Sequence, residues 1–155
     1  MAEGTFAGEF IPFRFRVTLS DDGGALLCQG AFSEVTGLEA TMTPKAIKVG
    51  GNNWGELQLS GPTSFPPIIL KRGITQVADL WTWFDLTTRQ ANYALRYEGV
   101  IEVLKPGENS PLLRWRIHRA LPTKFKGSDL SATANQVALE ELHLVHEGLE
   151  LERNP

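Results

Sequence analysis

Cysteine and histidine are scarce in this sequence, which has one cysteine and three histidines among 155 residues. The single Cys28 excludes an internal disulfide bond, and its strand-like surroundings predict a buried, inert thiol. His143 and His146 lie three residues apart, but positions at that spacing in a β-strand face opposite sides of the sheet. A shared metal site is therefore not expected.

Excess positive charge and long apolar segments are also absent. The formal net charge of −3 argues against general nucleic-acid binding, because phosphate contacts usually need a basic face. No apolar run approaches the roughly 20 residues that span a membrane, and residues 1–9 lack the basic start and apolar run of a secretory signal. We expect one globular domain, residues 1–155, of cytoplasmic origin and without a direct membrane anchor.

The common catalytic and nucleotide-binding motifs do not occur. The sequence has no Gly-Lys pair for a phosphate loop, no dinucleotide fingerprint at 50–55 and no Gly-X-Ser-X-Gly elbow. Glu98 and Glu102 have the spacing of a carboxylate pair for glycoside cleavage, but also that of a solvated strand face neutralised by Arg96 and Arg114. We favour the second interpretation and expect neither enzymatic activity nor a cofactor.

The pattern that is present is mostly that of β-strands. Phe13, Phe15 and Val17 alternate with polar residues, and this period of two is typical of a half-buried strand. A second strand at about 25–34 leads to Gly37, where we expect a backbone conformation that a Cβ atom would resist. The sequence therefore predicts a mainly β fold.

The clearest hairpin joins residues 96–104 to residues 112–120 through a turn at 105–111. With Leu104 paired to Leu112, one register gives four facing pairs: Glu102 with Arg114, Glu98 with His118, Ile101 with Trp115, and Gly99 with Ile117. Each favourable pair contributes roughly 0.2 to 1 kcal/mol, which favours this register over a slipped one. The charged face of the hairpin then consists of Arg96, Glu98, Glu102, Arg114, Arg116 and His118.

Residues 70–86 predict a strand end followed by the only long amphipathic helix. Its buried stripe is predicted at i, i+3, i+4 and i+7, that is, at Val77, Leu80, Trp81 and Phe84. Trp83 falls on a different face, where it is either partly buried within the chain or covered by a neighbouring subunit. This helix is the natural cover for the apolar face of the hairpin.

A long excursion at 42–67 is interrupted by glycine, proline and asparagine, and it predicts a long loop or an extended hairpin. Loops longer than about 12 to 15 residues in compact domains are usually functional or disordered. The residues of this excursion that are suited to contact another surface are Lys45, Ile47, Lys48, Asn52, Asn53 and Trp54.

Charge is segregated along the second half of the chain. Residues 112–126 carry five basic side chains and no acid, whereas residues 137–155 carry five glutamates against Arg153 alone. Complementary segments of this kind suit head-to-tail contacts between subunits. They equally suit neighbouring strands within one subunit, and both alternatives remain open at this stage.

Several short motifs occur in an order that resembles the tail tube proteins of contractile phages and of phage-like contractile injection systems. They are Phe-Ser-Glu-Val-Thr-Gly-Leu at 32–38, Leu-Lys-Arg-Gly at 70–73, Leu-Trp-Thr-Trp at 80–83, Ala-Leu-Pro-Thr-Lys at 120–124 and Asn-Gln-Val-Ala-Leu-Glu at 135–140. The resemblance covers roughly residues 13–149. It implies a β-barrel or sandwich of antiparallel sheets flanked by a helix, with strands that join between subunits in a ring.

The resemblance also implies a structural role. Hexameric rings stack into the inner tube of a contractile tail or injection apparatus, and the tube conducts DNA or protein cargo. Expected partners are other copies of the chain, a sheath protein, and baseplate and tube-initiator proteins, with assembly in the bacterial cytoplasm and a final place in a virion tail or injection particle. The excursion would bridge stacked rings, and the charged hairpin face would look into the lumen. The alternatives are a tube-initiating baseplate paralogue and a monomeric β-sandwich binding module.

Overall fold

The computed structural model describes residues 14–21, 26–51, 54–73, 79–89, 96–133 and 138–155. Within these ranges the chain forms twelve β-strands and one α-helix. The strands are β1 (Arg14–Ser20), β2 (Leu26–Phe32), β3 (Glu34–Thr36), β4 (Thr41–Met42), β5 (Lys45–Ile47), β6 (Leu57–Leu59), β7 (Thr63–Ser64), β8 (Ile68–Gly73), β9 (Tyr97–Leu104), β10 (Pro111–Lys126), β11 (Leu139–Val145) and β12 (Gly148–Arg153). The helix is α1 (Asp79–Thr88), and the predicted mainly β fold with one helix is confirmed.

The main sheet is antiparallel and has the order β2-β1-β9-β10-β11-β8-β3, with β12 paired to β10 outside this path. Strand β10 is 16 residues long, so its first half pairs with β9 and β12 while its second half pairs with β11. Only Ser33 separates β2 from β3, and its backbone N–H and hydroxyl both donate to the carbonyl oxygen of Lys71 in β8. The two ends of the strand order therefore meet on one continuous piece of chain.

The predicted hairpin register is confirmed over the middle of β9 and β10, where Glu102 faces Arg114 and Ile101 faces Trp115. The predicted pairing of Leu104 with Leu112 is wrong, because an irregularity next to the turn brings Leu104 opposite Pro111. Beyond Ile117 the register shifts again, and β10 continues past the expected end at residue 120.

Positive φ angles occur at two positions within or beside the main sheet, Gly37 and Arg119. Gly37 has a φ of 91°, as the sequence predicts, and a Cβ atom there would collide with the carbonyl oxygen of Pro67. Arg119 has a φ of 54° at the register shift in β10, which is uncommon for a residue other than glycine. Cys28 lies in β2 opposite Leu19, and its side chain is outside the described part of the chain.

The helix covers the core with Leu80 and Trp83, which are 0% and 1% exposed. The indole of Trp83 packs edge-on against Tyr97, with 4.9 Å between the ring centroids. Phe84 packs against the edge of the same core cluster. The remaining buried helix position is Thr87, whose hydroxyl donates to the carbonyl oxygen of Trp83 at 3.0 Å.

The prediction that Trp81 lies in the buried stripe is wrong, because 45% of this residue is exposed. Its ring instead lies 6.0 Å from that of Phe84 and 5.4 Å from that of Phe125. The buried face follows i, i+3 and i+7 from Leu80 through Trp83 to Thr87, and the satisfied threonine hydroxyl makes that face possible. Val77, the first residue of the predicted stripe, lies outside the described residues.

Candidate assembly surfaces

A row of charged side chains covers one face of β1, β9, β10 and β12, and we call it the charged ladder. Its members are Arg16, Glu98, Glu102, Arg114, Arg116, His118, Glu150 and Glu152. Side chains alternate between the two faces of a strand, so the apolar neighbours Ile101 and Ile117 point into the core on the other face. The ladder and α1 therefore lie on opposite faces of the sheet.

Glu102 is the centre of the ladder and is 8% exposed. Arg16 donates to Glu102 Oε1 from Nε at 3.1 Å and from Nη2 at 2.9 Å, and Arg114 Nη2 donates to Oε2 at 3.2 Å. Burial opposes ionisation of this carboxyl, but the hydrogen bonds and charges of the two arginines outweigh burial. The pKa of Glu102 therefore lies below its ordinary value of 4.5.

The ladder continues from β10 to β12 through Glu152. Arg114 Nη1 donates to Glu152 Oε2 at 3.3 Å, and Arg116 Nε donates to Oε1 at 2.6 Å. The hydrogen bond from Arg116 lowers the pKa of Glu152 and, in return, raises that of Arg116. Arg114 thus bridges the carboxylates of Glu102 and Glu152, and every charge in this stretch has an opposite neighbour.

His118 lies between two carboxylates at the other end of the ladder. Its Nδ1 is 2.9 Å from Glu98 Oε2, and its Nε2 is 3.4 Å from Glu150 Oε2. The second oxygen of Glu98 accepts a hydrogen bond from the backbone N–H of Arg119 at 3.2 Å. Glu98 and Glu102 are therefore each engaged by their own partners. Arg114 is a partner of Glu102 as predicted, but Arg16 is the second, and Glu102 is buried rather than solvated.

Arg96, a predicted member of the charged face, immediately precedes β9. It lines a cavity of about 160 Å³ together with Arg119, His146 and Glu147. Glu147 accepts a charge-assisted hydrogen bond from Nε of Arg119. Arg96 thus lies among polar side chains next to the bulge in β10.

Three members of the ladder, Arg16, Glu150 and Glu152, were not predicted from the sequence. A signal for two of them existed in the segregated charge of residues 112–126 and 137–155. Strand β12 pairs with β10, so Arg114 faces Glu152 and Arg116 faces Glu150 within one subunit. Of the two alternatives for the segregated charge, neighbouring strands account for these pairs.

The excursion is an extended hairpin of residues 41–64, which we call the arm. At its base β4 pairs with β7, and further out β5 pairs with β6. The large apolar side chains that it exposes are Met42, Ile47, Val49, Trp54, Leu57 and Leu59. Trp54, close to the tip, is 99% exposed. Six exposed large apolar side chains on one hairpin indicate an interaction site.

The residues predicted to contact another surface are distributed along the arm. Lys45 and Ile47 lie in β5 and are exposed, as is Lys48, which follows that strand. Asn52 and Asn53 lie outside the described residues.

The base of the arm is closely packed. The backbone N–H of Thr43 donates to the carbonyl oxygen of Pro62 at 3.1 Å, and a Cβ atom on Gly61 would collide with the carbonyl oxygen of Thr43. Phe65 follows the arm, and its ring centroid lies 4.9 Å from that of His146 in the body. Burial lowers the pKa of His146 below its ordinary value of 6.5. The contacts of Thr43 hold the two sides of the arm together at its base, and the contact of Phe65 with His146 lies where the arm joins the body.

Neither a metal centre nor a spanning helix is found in the part of the chain that the structure describes. No group of three His, Cys, Asp or Glu side chains there is arranged to hold a metal ion. His143 instead contacts Glu141 at 3.1 Å, and His146 contacts the carbonyl oxygen of Gly148 at 3.0 Å. No helix in the described ranges has the length and apolar character needed to cross a membrane.

Solved structures with a similar fold come from contractile injection systems. A chain of the anti-feeding prophage baseplate is 25% identical, with a TM-score of 0.79 over 92% of this chain and 95% of that one. A chain of the PVC extracellular contractile injection system, from its sheath-tube complex, is 21% identical, with a TM-score of 0.76 over 99% of both chains. An Hcp protein is 10% identical with a TM-score of 0.58 over 91% of both chains, which shows a shared fold.

A search of curated protein sequences gives no match. The family comparison does give one. The model of the T4-like virus tail tube protein gp19 matches residues 11–150. The chain therefore belongs to the T4-like virus tail tube protein family, a family of structural proteins of contractile tails and injection systems.

Proposed function

We propose that the protein forms hexameric rings that stack into the inner tube of a contractile tail or injection apparatus. The observation that carries the proposal is the arm, which extends apolar side chains into solvent on a chain of the tail tube family. An isolated domain gains nothing from exposing such a surface, whereas a stacked ring buries it against the next ring. The tube would be a conduit for DNA or protein cargo.

The two faces of the main sheet support a channel with the charged ladder toward its lumen. The apolar face is covered by α1 and the core, so the ladder is the face left for water. Its paired charges of both signs expose no broad apolar surface to which a passing polymer would adhere. Of the predicted lumen-facing residues, Glu98, Glu102, Arg114, Arg116 and His118 belong to this surface, and Arg96 borders it.

The arm would bridge successive rings. Its apolar residues, with Lys45, Ile47, Lys48, Asn52, Asn53 and Trp54, would contact the body of a subunit in the adjacent ring. The contact of Phe65 with His146 supports this role because it packs the chain next to the arm against the body. A sheath protein would surround the tube, as the similarity to a chain from a sheath-tube complex supports. Assembly would take place in the bacterial cytoplasm, before incorporation into a virion tail or injection particle.

A second candidate is a tube-initiating baseplate component, which the similarity to a chain of the anti-feeding prophage baseplate supports. The two roles differ in self-association. A main tube protein stacks on itself without limit, whereas an initiator needs another protein above or below its ring. Purified protein that forms rings but never stacks at any concentration would favour the initiator.

The arm is tested by negative-stain imaging of purified protein. Replacing residues 51–56 with a two-residue turn should leave rings and the melting temperature unchanged, because the described residues in this segment are exposed, and should abolish tubes. Trp54→Ala should also lower the fraction of protein that forms tubes. Trp81→Ala serves as the matched control, since it removes a half-exposed tryptophan from the body and should leave stacking intact. Unchanged tube length in the shortened-arm variant would contradict the proposed bridge, and a protein that stays monomeric would contradict ring formation.

A further inference from the structure

The arm consists of two short ladders with an interruption between them. The inner ladder pairs β4 with β7, and the outer ladder pairs β5 with β6. Pro44 and Pro62 lie between the two ladders on opposite sides of the arm, and a proline residue has no backbone N–H to donate. Residues 43–44 and 60–62, which we call the joint, therefore need other contacts to hold the outer ladder in line with the inner one.

One hydrogen bond of the joint has a sulfur atom as its acceptor. The backbone N–H of Gly61 donates to Sδ of Met42 at 3.3 Å, next to the bond from the N–H of Thr43 to the carbonyl oxygen of Pro62. A thioether sulfur is a weak acceptor, so this bond depends on a sulfur lone pair that stays directed at the N–H. A side chain, and not only the backbone, thus links the two sides of the arm at this point.

Gly61 has little room to adjust if the sulfur changes. A Cβ atom on Gly61 would lie 1.8 Å from the carbonyl oxygen of Thr43, so the glycine backbone already packs directly against that residue. Gly61 is thus held between the side chain of Met42 and the main chain of Thr43, which are neighbours in the sequence. An additional atom on the sulfur of Met42 would have to displace one side of the joint from the other.

Met42 is also open to chemical attack. It is 45% exposed, so a molecule as small as hydrogen peroxide can reach the side chain. Peroxides oxidise exposed methionine to the sulfoxide. A lone pair of the sulfur attacks one peroxide oxygen, the O–O bond breaks, an S–O bond forms, and the second oxygen leaves with both protons as water. The sulfur loses two electrons and the peroxide gains them, so no further reactant is needed.

We propose that Met42 is a redox modification site that controls the arm: hydrogen peroxide converts Met42 to the sulfoxide, and oxidised subunits form rings that do not stack. The new oxygen takes up one lone pair of the sulfur and occupies space beside Gly61, which breaks the hydrogen bond across the joint and releases the outer ladder. The sulfoxide also places a polar group among the exposed apolar side chains of the arm. This inference rests on the proposed bridging role of the arm and adds a reversible control to it, because methionine sulfoxide reductases restore the thioether.

The first test compares two proteins in a Cys28→Ser background, which removes the single cysteine. One protein keeps Met42, and the other carries Met42→Leu, which has an apolar side chain of similar size and no oxidisable sulfur. After peroxide treatment of the first protein, mass spectrometry should find an added oxygen on Met42, and negative-stain images should show rings without tubes. Treatment with the two methionine sulfoxide reductases, one for each epimer, should restore the tubes. Peroxide should not change the tube content of Met42→Leu. Normal tubes formed by fully oxidised protein, or an equal loss of tubes in Met42→Leu, would overturn the proposal.

Hydrogen exchange tests the joint without reference to tubes. The amide of Gly61 should exchange roughly two- to tenfold faster in oxidised than in reduced protein, which is the range for the loss of one typical hydrogen bond. Mass spectrometry with residue-level fragmentation measures this rate, and the amides of β9 in the body should be unchanged. Equal exchange at Gly61 in the two states would overturn the proposed effect of oxidation. A protein that forms no tubes even when reduced would contradict the proposed tube, while the exchange of Gly61 would still decide whether oxidation opens the joint.

Discussion

Replacing each of the two helix tryptophans by alanine separates the buried face of α1 from its exposed face. Trp83 is 1% exposed and Trp81 is 45% exposed, although they are only two residues apart. Truncation of a buried tryptophan to alanine typically costs about 3 to 5 kcal/mol, from lost transfer energy and the cavity that remains. The edge-on contact of Trp83 with Tyr97 adds about 0.5 to 1.5 kcal/mol to that loss.

One contribution reduces the loss of unfolding free energy that Trp83→Ala causes. The described residues offer no hydrogen-bond acceptor to its buried indole N–H, so Trp83→Ala also removes a desolvated polar group, which returns about 1 to 3 kcal/mol. We expect a net cost of about 3 kcal/mol for Trp83→Ala. Trp81 keeps nearly half of its surface in water and rests on Phe84 and Phe125, so we expect about 1 kcal/mol for Trp81→Ala.

Urea denaturation followed by circular dichroism measures both costs. All proteins are compared at one concentration, because assembly makes apparent stability depend on the concentration of protomers. A loss of about 3 kcal/mol is a large share of the roughly 5 to 15 kcal/mol that keeps a domain folded, so the midpoint should fall strongly for Trp83→Ala at unchanged slope. A cost for Trp81→Ala equal to or above that for Trp83→Ala would refute the observed orientation of the helix.

Three further changes test the ladder and the base of the arm. The pKa of Glu102 is lower in the folded protein, so its contribution to stability is fully present above the unfolded pKa near 4.5 and is lost as pH falls through the folded pKa. Glu102→Gln should cost about 1 to 2 kcal/mol of unfolding free energy at pH 7 and should weaken the loss of stability in acid. An unchanged dependence of stability on pH would count against the ladder. Burial lowers the pKa of His146 in the fold, so the unfolded chain binds more protons and stability should fall as pH drops below about 6.5. His146→Phe should reduce this slope in thermal melts at pH 5 to 8, and an unchanged slope would assign it to another group. Gly61→Ala should leave rings intact but shorten or abolish tubes in negative-stain images, because the added methyl group collides with the carbonyl oxygen of Thr43. Tubes of normal length would show that the base of the arm is less constrained than its geometry indicates.

The hairpin register was predictable because its determinants are local. Glu102 with Arg114 and Ile101 with Trp115 sort onto opposite faces in a single alignment, and a slip by one residue would place charges in the core. The end of the hairpin was not predictable in the same way. The sequence does not predict the positive φ of Arg119 or the register shift at this residue. It also does not predict that β10 continues to Lys126.

The phase of the helix depends on tertiary contacts that a sequence pattern does not contain. Over the 10 residues of α1, Leu80 belongs to two apolar stripes, one that continues through Trp81 and one that continues through Trp83. The apolar pattern of the sequence favours the stripe through Trp81, because the stripe through Trp83 includes the polar Thr87. Thr87 can be buried because its hydroxyl donates a hydrogen bond to the backbone carbonyl oxygen of Trp83, and this bond cannot be predicted from the sequence.

The ladder was found only in part because most of its ion pairs join strands that are distant in the chain. Arg16 and Glu102 are 86 residues apart, and Arg116 and Glu152 are 36 apart. The opposite charges of residues 112–126 and 137–155 indicated that these two segments attract each other. Whether they meet within one subunit or between two is decided by the pairing of β10 with β12.

Cysteine labelling of assembled tubes tests most directly whether the chain builds a tube with the charged ladder facing its lumen. In a Cys28→Ser background, Glu150→Cys places a thiol on the ladder, where the native side chain is 63% exposed, and Thr82→Cys places one on the exposed face of α1. The account predicts that a small maleimide labels both variants, while a maleimide coupled to a folded protein too large to enter the bore labels only Thr82→Cys. Equal labelling of Glu150→Cys by both reagents in intact tubes would place the ladder outside and contradict the central claim.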